Sequence, residues 1–177
     1  GAASTEAAAF GSKFEGAFHG RMQEHLREKR AIGRSAAALF SPGDALFIDT
    51  GTTTVVFAEE LSRLSHLTVI TNSLTIVQTI VRGNNSNHAF LIGGRYRDEA
   101  SENLGSLAVE QIGRFRMPHT VLTVGAIEPG GIMDYDLNEA EVAIAMIAHT
   151  RTLTVLADSS KFNRTGLFPV CPLSDID

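Results

Sequence analysis

Five short apolar runs alternate with segments of helical periodicity, and this alternation limits the possible folds more than any other feature. The runs cover residues 45–48, 67–71, 88–92, 120–124 and 152–156. Each run has the length of a buried strand, and the segments between them are long enough to be helical crossovers. Strands joined by such crossovers form a parallel sheet with helices on both faces. We therefore predict an α/β protein with an open, mainly parallel, Rossmann-like sheet.

The segments between the strands predict where the helices lie. Helices are expected at 21–40, after the first strand, at 74–82, at 105–116 and up to about residue 149. Residues 95–103 and the acidic stretch 134–141 are predicted to be loops. The first helix should end before Pro42-Gly43, which is a strong helix stop. Its predicted buried face is Leu26, Ile32, Ala36, Leu39 and Phe40.

The polar stretch after the first strand is the main candidate for a binding site. It reads Asp49-Thr50-Gly51-Thr52-Thr53-Thr54 and lies where the strand stops and a helix begins. Gly51 is expected to adopt a positive φ, which would turn backbone N–H groups into one concavity. The N-terminus of the helix adds N–H donors and partial positive charge, and the threonine hydroxyls could close on a phosphate. The alternative is an ordinary helix cap, since threonine caps helices well.

Other polar and glycine residues also follow the predicted strands. They are Asn72-Ser73, Gly93-Gly94-Arg95, Gly125 and Asp158-Ser159-Ser160-Lys161. The ends of parallel strands share one rim, where open α/β sheets bind ligands, although small residues there can also be turn chemistry alone.

Each side chain on this rim can be given a role. Lys161 would supply charge to the phosphate, while Asp158 and Asn72 would bind hydroxyls. Arg95 could pair with a second anionic group or with the acidic stretch, and for Arg95 and Arg97 a surface position is the alternative.

Charge and cysteine content exclude several classes of protein. The net charge is −5 with three lysines, which argues against nucleic-acid binding by this segment itself. Cys171 is the single cysteine, so an intrachain disulfide and a cysteine-based zinc site are excluded. The six histidines lack metal-ligand spacing, and neither a metal nor a cofactor is predicted. The sequence shows no signal peptide and no apolar run of the roughly 20 residues needed to cross a bilayer. A cytoplasmic location without membrane contact is therefore expected.

A set of motifs in fixed order resembles the effector-binding half of DeoR-type bacterial transcriptional regulators. The motifs are Glu28-Lys29-Arg30-Ala31-Ile32, Gly43-Asp44, Phe47-Ile48 with the following Asp49 to Thr54, Thr68-Val69-Ile70-Thr71-Asn72-Ser73, Ile92-Gly93-Gly94, Gly105, Gly125, and Ala157-Asp158-Ser159-Ser160-Lys161-Phe162. The resemblance covers the chain from about residue 14 to its end.

This resemblance implies a fold, a function and a set of site residues. The fold would be similar to that of ribose-5-phosphate isomerase and CoA-transferase-like domains. The function would be that of a sensor in a repressor of sugar catabolism genes. A phosphorylated sugar or related metabolite would bind at the rim and change the affinity of a separate winged helix-turn-helix for operator DNA. The family also suggests a homo-oligomer. The implied effector contacts are Asp49, Thr50, Gly51, Thr52, Thr53, Thr54, Asn72, Ser73, Gly94, Arg95, Asp158, Lys161 and Lys29.

The resemblance also implies domain boundaries. Residues 1–13 would be a linker or arm from a missing N-terminal winged helix-turn-helix, and 14–177 the sensor domain with its last strand truncated. One departure concerns the segment after Glu139-Ala140-Glu141-Val142, where the family usually has a lysine and this chain has Ala143 and Ile144. A cationic contact at the rim would then be missing, and the effector would be less charged or differently shaped.

An enzyme is the alternative on the same fold, as a sugar-phosphate isomerase or a related transferase. Isomerisation needs a positioned base and acid, and the carboxylates of the acidic stretch could supply the base. The Thr-Asn-Ser and Asp-Ser-Ser-Lys segments favour the regulator. No catalytic residue is therefore predicted.

Overall fold

The fold is described for residues 17–83 and 85–177 of a computed structural model. The linker predicted for residues 1–13 lies outside these residues. Within them, the helices are α1 (Phe18–Gln23), α2 (Leu26–Ala37), α3 (Thr52–Leu61), α4 (Leu74–Arg82), α5 (Ser106–Ile112) and α6 (Leu137–Ala148). The strands are β1 (Ala45–Ile48), β2 (Thr68–Thr71), β3 (His88–Leu91), β4 (Arg95–Arg97), β5 (Glu102–Leu104), β6 (Met117–Thr123), β7 (Ala126–Glu128), β8 (Gly131–Asp134), β9 (Thr150–Leu156) and β10 (Phe168–Cys171). Two 3₁₀ turns lie at Ser159–Lys161 and Leu173–Asp175.

A five-stranded sheet forms the centre of the molecule, with the order β3-β2-β1-β6-β9. Every neighbouring pair in it is parallel, and β1 pairs with β2 through Ile48–Thr71 and with β6 through Ile48–Val121. The α/β fold with a parallel sheet flanked by helices is therefore confirmed. From β1 the chain continues to β2 and β3 on one side of the sheet, and from β6 it continues to β9 on the other side. The crevice between these two strand ends is thus the switch point of the sheet.

The sheet separates two apolar cores because successive side chains of a strand point to opposite faces. In β1, Leu46 and Ile48 belong to one core and Phe47 to the other. The first core is closed by residues of α2, α3 and α4, and the second by residues of α5 and α6. Ala143, at the position of the departure from the family pattern, is 4% exposed and lies in the second core.

Short antiparallel strands lie outside the central sheet, and two of them fall where the sequence predicted a loop. β4 and β5 pair as a hairpin within 95–104, and β7, β8 and β10 form a small separate sheet. The acidic stretch is also not a continuous loop, because Asp136 caps α6 and the helix begins at Leu137. These strands have three or four residues each. Such short segments show too little alternation to be identified from sequence.

The first predicted helix is divided into two. α1 ends at Gln23, and His25 has a left-handed backbone with φ of 53° before α2 begins at Leu26. Leu39 lies beyond the end of α2 and is 67% exposed, so its predicted burial is wrong. Phe40 is buried as predicted, with its ring against Phe57 and His119. None of the helices described is long and apolar enough to span a membrane.

Candidate functional site

A crevice opens at the switch point, where the loops after β1 and β6 meet. It is lined by Phe18, Arg21, Asp49, Thr50, Gly51, Thr52, Ala100, Glu102, Thr123, Val124, Gly125, Asp134, Glu139 and Lys161. Open parallel sheets bind ligands at this position because the strand connections diverge there and leave a gap. The enclosed space is about 20 Å³. It fits a group the size of a water molecule, so a larger ligand requires the walls to move.

Asp49 joins the two strand ends that form the crevice. Its Oδ1 accepts a hydrogen bond of 3.0 Å from the backbone N–H of Thr123. Burial raises the pKa of Asp49 well above its ordinary value, and the nearby carboxylates of Asp134 and Glu102 raise it further, although the bond from Thr123 opposes them. Asp49 is thus a buried carboxyl that connects the ends of β1 and β6. Its pKa depends on the other charged groups in the crevice.

Gly51 is needed for close approach rather than for a special backbone conformation. Its φ is −175°, which is extended, so the expected positive φ is wrong. A Cβ on Gly51 would lie 1.9 Å from Cγ2 of Thr123. The loop after β1 can therefore press against the end of β6 only because residue 51 has no side chain.

The threonines that follow β1 divide between the crevice and the interior. Thr50 and Thr52 line the crevice. The Thr50 hydroxyl oxygen is buried and has no hydrogen-bond partner among the described residues. Thr53 and Thr54 do not line it, and the Thr54 hydroxyl donates to the carbonyl oxygens of Asp49 at 2.9 Å and Gly51 at 3.1 Å. Of the four threonines in the predicted stretch, only Thr50 and Thr52 thus line the crevice.

Cationic side chains gather on one side of the crevice. Lys161 and Arg21 line it, and Lys161 comes from the 3₁₀ turn after β9. The Lys29 ammonium is buried behind them and donates to the carbonyl oxygen of Arg21. Burial lowers the pKa of Lys29, and the charges of Lys161 and Arg21 lower it further, whereas Asp158 raises it. Lys29 therefore holds α1 against the rest of the site.

Asp158 does not line the crevice. Its carboxylate accepts a 2.8 Å hydrogen bond from the N–H of Ser160 and so caps the turn that carries Lys161. The geometry supports a positioning role for Asp158 through this turn.

The residues predicted after β2 and β3 lie outside the crevice. Asn72 is buried, and its amide donates to the carbonyl oxygen of Asn103 at 3.2 Å and to Glu102 at 3.4 Å. The Ser73 hydroxyl caps α4 by accepting from the N–H of Ile76. Gly94 and Arg95 are exposed at the start of the β4–β5 hairpin. The structure therefore does not bring these predicted site residues together with Thr50 and Lys161.

An acidic cluster around Arg97 was not predicted from the sequence. The guanidinium pairs with Glu102, with Asp136 at 2.7 Å and with Glu139, so one cation joins the hairpin to α6. Arg97 is half-buried, with 27% of its side chain exposed, and makes the pairing with the acidic stretch that was suggested for Arg95. Arg95 itself lies on the surface. Burial raises the pKa of Glu102, although Arg97 opposes this. The polar run 95–103 was the sequence feature that pointed to this cluster. Its ion pairs could not be predicted because they depend on the β4–β5 hairpin.

Comparison with known families and proteins identifies the relationship. Residues 24–177 match the family described as the DeoR C-terminal sensor domain. The HTH-type transcriptional repressor CsqR of Escherichia coli is 36% identical over 151 residues, which are 85% of this chain and 58% of that protein. The glycerol-3-phosphate regulon repressor of the same organism is 29% identical over 161 residues, which are 90% of this chain and 64% of that protein. The chain thus spans about six tenths of the length of these curated relatives.

Solved structures of very different function share the fold. A D-ribose-5-phosphate isomerase in complex with phospho-erythronic acid superimposes with a TM-score of 0.56 at 12% identity, over 77% of this chain and 54% of that one. The eIF2B delta subunit of Chaetomium thermophilum gives 0.58 at 16% identity, over 84% and 53%. At such identities the likeness concerns the fold alone. Because the family match covers nearly the whole described chain and the curated relatives are repressors, this chain belongs to the family of DeoR C-terminal sensor domains.

Proposed function

We propose that this chain is the ligand-sensing part of a DeoR-type repressor and binds a phosphorylated sugar in the crevice between β1 and β6. Binding would change the affinity of a separate helix-turn-helix domain for operator DNA. The observation that carries the proposal is the meeting of the α3 N-terminus, the Thr50 hydroxyl and the side chains of Lys161 and Arg21 on one crevice. Helix N-termini and cationic side chains together are the usual partners of a phosphate.

Within this proposal the phosphate lies at the α3 N-terminus, and the sugar hydroxyls face the carboxylates. The N–H groups of the first turn of α3 have no partners within the helix, so they can donate to phosphate oxygens. Lys161 adds a point charge from the turn after β9, on the same rim of the sheet. Glu102, Asp134 and Glu139 offer acceptors for hydroxyl groups.

The helix α1 connects this site to the preceding part of the chain. It supplies Phe18 and Arg21 to the crevice wall, and Lys29 holds it through the carbonyl oxygen of Arg21. Since the closed crevice is too small for a sugar phosphate, entry of the ligand would displace a wall, and α1 is the wall that follows the segment 1–13 in the sequence. The role of that segment as a linker to a DNA-binding domain is part of the proposal.

The direct test is a ligand screen on the 177-residue chain. Phosphorylated sugars should raise its thermal unfolding temperature because a ligand that binds only the folded state stabilises it by mass action. The same sugars without phosphate serve as matched controls and should give no shift. If no phosphorylated sugar stabilises the chain, or if the unphosphorylated sugars stabilise it equally, the proposal fails.

An enzyme remains the second candidate because of one observation. The crevice contains carboxyl groups of raised pKa, Asp49 and Glu102, together with Lys161. Groups of this kind can move protons at a sugar carbon. The curated relatives are repressors, and this supports the regulator. Turnover of ribose 5-phosphate or glucosamine 6-phosphate by the purified chain would instead support the isomerase.

A further inference from the structure

The walls of the crevice differ in how they are connected to the rest of the fold. Asp49 joins the ends of β1 and β6 through its bond with Thr123. Arg97 ties the β4–β5 hairpin to α6, and Asp158 caps the turn that carries Lys161. The remaining wall is α1, which lies outside the central sheet and comes first among the described elements.

A break in the backbone separates α1 from α2. Glu24 is extended, with ψ of 131°, and His25 is left-handed, with φ of 53°. The left-handed region is uncommon for residues other than glycine. Segments that move usually turn at a few residues of this kind, which lie at the ends of elements and absorb changes in backbone angle. The break thus gives α1 a hinge at residues 24–25.

Apolar burial fixes the closed position of α1. Phe18 is 7% exposed and belongs to the first core, to which α2 contributes Ala36. The Phe18 N–H also donates to Oε1 of Glu99 at 3.4 Å. The same phenylalanine lines the crevice. Displacement of α1 would therefore enlarge the crevice and expose an apolar ring, and the second effect favours the closed position when no ligand is bound.

Lys29 holds the C-terminal end of α1. Arg21 lies in the last turn of this helix, whose carbonyl oxygens have no N–H partners within the helix. The Lys29 ammonium comes from α2, is 3% exposed as a residue, and donates to the Arg21 carbonyl oxygen. Lysine side chains can complete helix C-termini in this way. Loss of this donor would leave a buried carbonyl oxygen unsatisfied, which is costly, so the contact favours closure.

We propose that α1 is a lid on the crevice, hinged at Glu24–His25 and held closed by Lys29, which acts as a positioning residue. The inference rests on the proposed function and names the movement by which that site admits its ligand. A sugar phosphate in the crevice needs space that α1 closes, so the lid stays displaced while the ligand is bound. The displacement then reaches the segment that precedes α1 in the sequence.

The test uses tryptophan as a local probe, because the chain contains none of its own. Phe18→Trp places the probe on the lid, and Phe40→Trp places it at a position of equal burial, 7% exposed in the same core but outside α1. Acrylamide quenching of each probe is measured with and without Lys29→Met, which keeps the length of the side chain and removes the donor. In the absence of ligand, Lys29→Met should raise quenching at position 18 about twofold or more and leave quenching at position 40 unchanged, because only the lid opens.

Arg30→Met is the matched control, because Arg30 is the next residue on α2 and is exposed. It removes one positive charge from the same helix and should leave quenching at both positions unchanged. Equal quenching at position 18 with and without Lys29→Met would overturn the proposal. An increase of the same size at positions 18 and 40 would also overturn it, since it would mean a general loosening of the core.

A ligand titration tests the movement itself and decides the proposal if Lys29→Met does not fold. Ribose 5-phosphate, glucose 6-phosphate and glucosamine 6-phosphate are added to the two probe variants, and binding is measured in parallel by calorimetry. A sugar phosphate that binds should raise quenching at position 18 about twofold or more and leave position 40 unchanged.

The outcomes distinguish the two proposals. If a sugar phosphate binds and quenching at position 18 does not rise, the lid is wrong and the sugar-phosphate sensor stands. If no phosphorylated sugar binds, the proposed function fails, and the comparison of Lys29→Met with the parent chain alone decides whether α1 is a lid.

Discussion

The loops after β1 and β6 and the loops after β2 and β3 contain similar polar and glycine residues but differ in what surrounds them. The first pair, which we call the switch-point loops, border the crevice and leave the Thr50 hydroxyl without a partner among the described residues. The second pair, the flank loops, adjoin the β4–β5 hairpin, which covers the loop after β2 and begins directly after the loop that follows β3. There the Asn72 amide and the Ser73 hydroxyl make hydrogen bonds to neighbouring backbone groups, although the Oδ1 of Asn72, like the Thr50 hydroxyl, has no partner among the described residues.

This difference follows from the position of each strand in the sheet. β1 and β6 are neighbours whose connections leave in opposite directions, so no crossover covers the gap between their ends. β2 and β3 continue in one direction, and the hairpin closes over them, with the N–H of Asn103 bonded to the carbonyl oxygen of Asn72 at 2.8 Å. The polar residues after β1 thus line the crevice at the switch point, whereas those after β2 connect structural elements.

The largest effect is expected from a change in the flank loops. A Cβ at Gly94 would lie 2.6 Å from the carbonyl oxygen of Leu104, and φ there is +139°, a region that favours glycine. Backbone strain of this kind costs about 1–3 kcal/mol, and the contact with the carbonyl adds to it. Gly94→Ala should therefore lower the free energy of unfolding by about 3 kcal/mol or more, measured by urea denaturation.

Gly130→Ala is the control for this change, because a Cβ there meets nothing within 4 Å. It should leave the denaturation midpoint nearly unchanged. Equal midpoints for both alanine variants would contradict the structural role of the flank loops.

A change at the switch point should instead alter affinity. Lys161→Ala should reduce binding of a phosphorylated sugar by about tenfold or more, because a charge-assisted hydrogen bond contributes about 1.5–3 kcal/mol. The remaining binding should depend less on salt, since the lost interaction is Coulombic. Calorimetry at two salt concentrations measures both effects.

The exposed Arg164 provides a matched control three residues along the same segment. Arg164→Ala should bind like the parent chain. If Lys161→Ala also binds the phosphorylated sugar like the parent chain, Lys161 does not belong to the binding site. The switch-point loops would then not differ from the flank loops in function.

A smaller effect is expected from the flank-loop cap. The Ser73 hydroxyl accepts from the N–H of Ile76 at 3.3 Å, and loss of such a cap costs about 1 kcal/mol. Ser73→Ala should lower stability by this amount and leave sugar-phosphate affinity unchanged, while Ser35→Ala, at an exposed position on α2, should change stability by under about 0.5 kcal/mol. A large loss of affinity in Ser73→Ala would show that the flank loops share in binding.

The smallest effect on stability is expected at Asp136, which caps α6 and pairs with Arg97 of the β4–β5 hairpin. Burial raises its pKa, but hydrogen bonds from Arg97 and from the N–H groups of Glu139 and Asn138 outweigh this and lower it. A lowered pKa means that the ionised form stabilises the fold above the ordinary pKa, and that this stability is lost as the pH falls through the lowered value. Asp136→Asn keeps the helix cap and should lose under about 1 kcal/mol at neutral pH, since the group is partly exposed.

Denaturation of Asp136→Asn and the parent chain across a pH series tests this sign. The difference in stability should be present at neutral pH and vanish in acid. A difference that grows as the pH falls would mean that Arg97 does not stabilise the ionised form of Asp136.

The sequence by itself determined the architecture and the family. Residues 45–48 and 74–82 agree with β1 and α4 in the structure, because apolar periodicity and strong stop signals such as Pro42-Gly43 are local properties. The order of the motifs was also enough to predict the relationship to DeoR-type regulators, and the family match confirms this prediction. The sequence could also place Asp49, Thr50 and Lys161 at strand ends on one rim.

Only the tertiary structure decided which of these residues share a crevice. Strand order is set by packing between distant segments, so no local pattern shows that β1 lies beside β6 and that Asn72 falls under a hairpin. The same holds for the glycine at position 51. It is required because Thr123, more than 70 residues away, leaves no room for a side chain, and not because of its own φ. The hydrogen bond between Asp49 and Thr123 likewise joins residues 74 positions apart. The ion pairs of Arg97 with Asp136 and Glu139 depend on separations of 39 and 42 residues. Contacts between distant segments form only when the chain is folded, and for that reason the acidic cluster around Arg97 could not be predicted from the sequence.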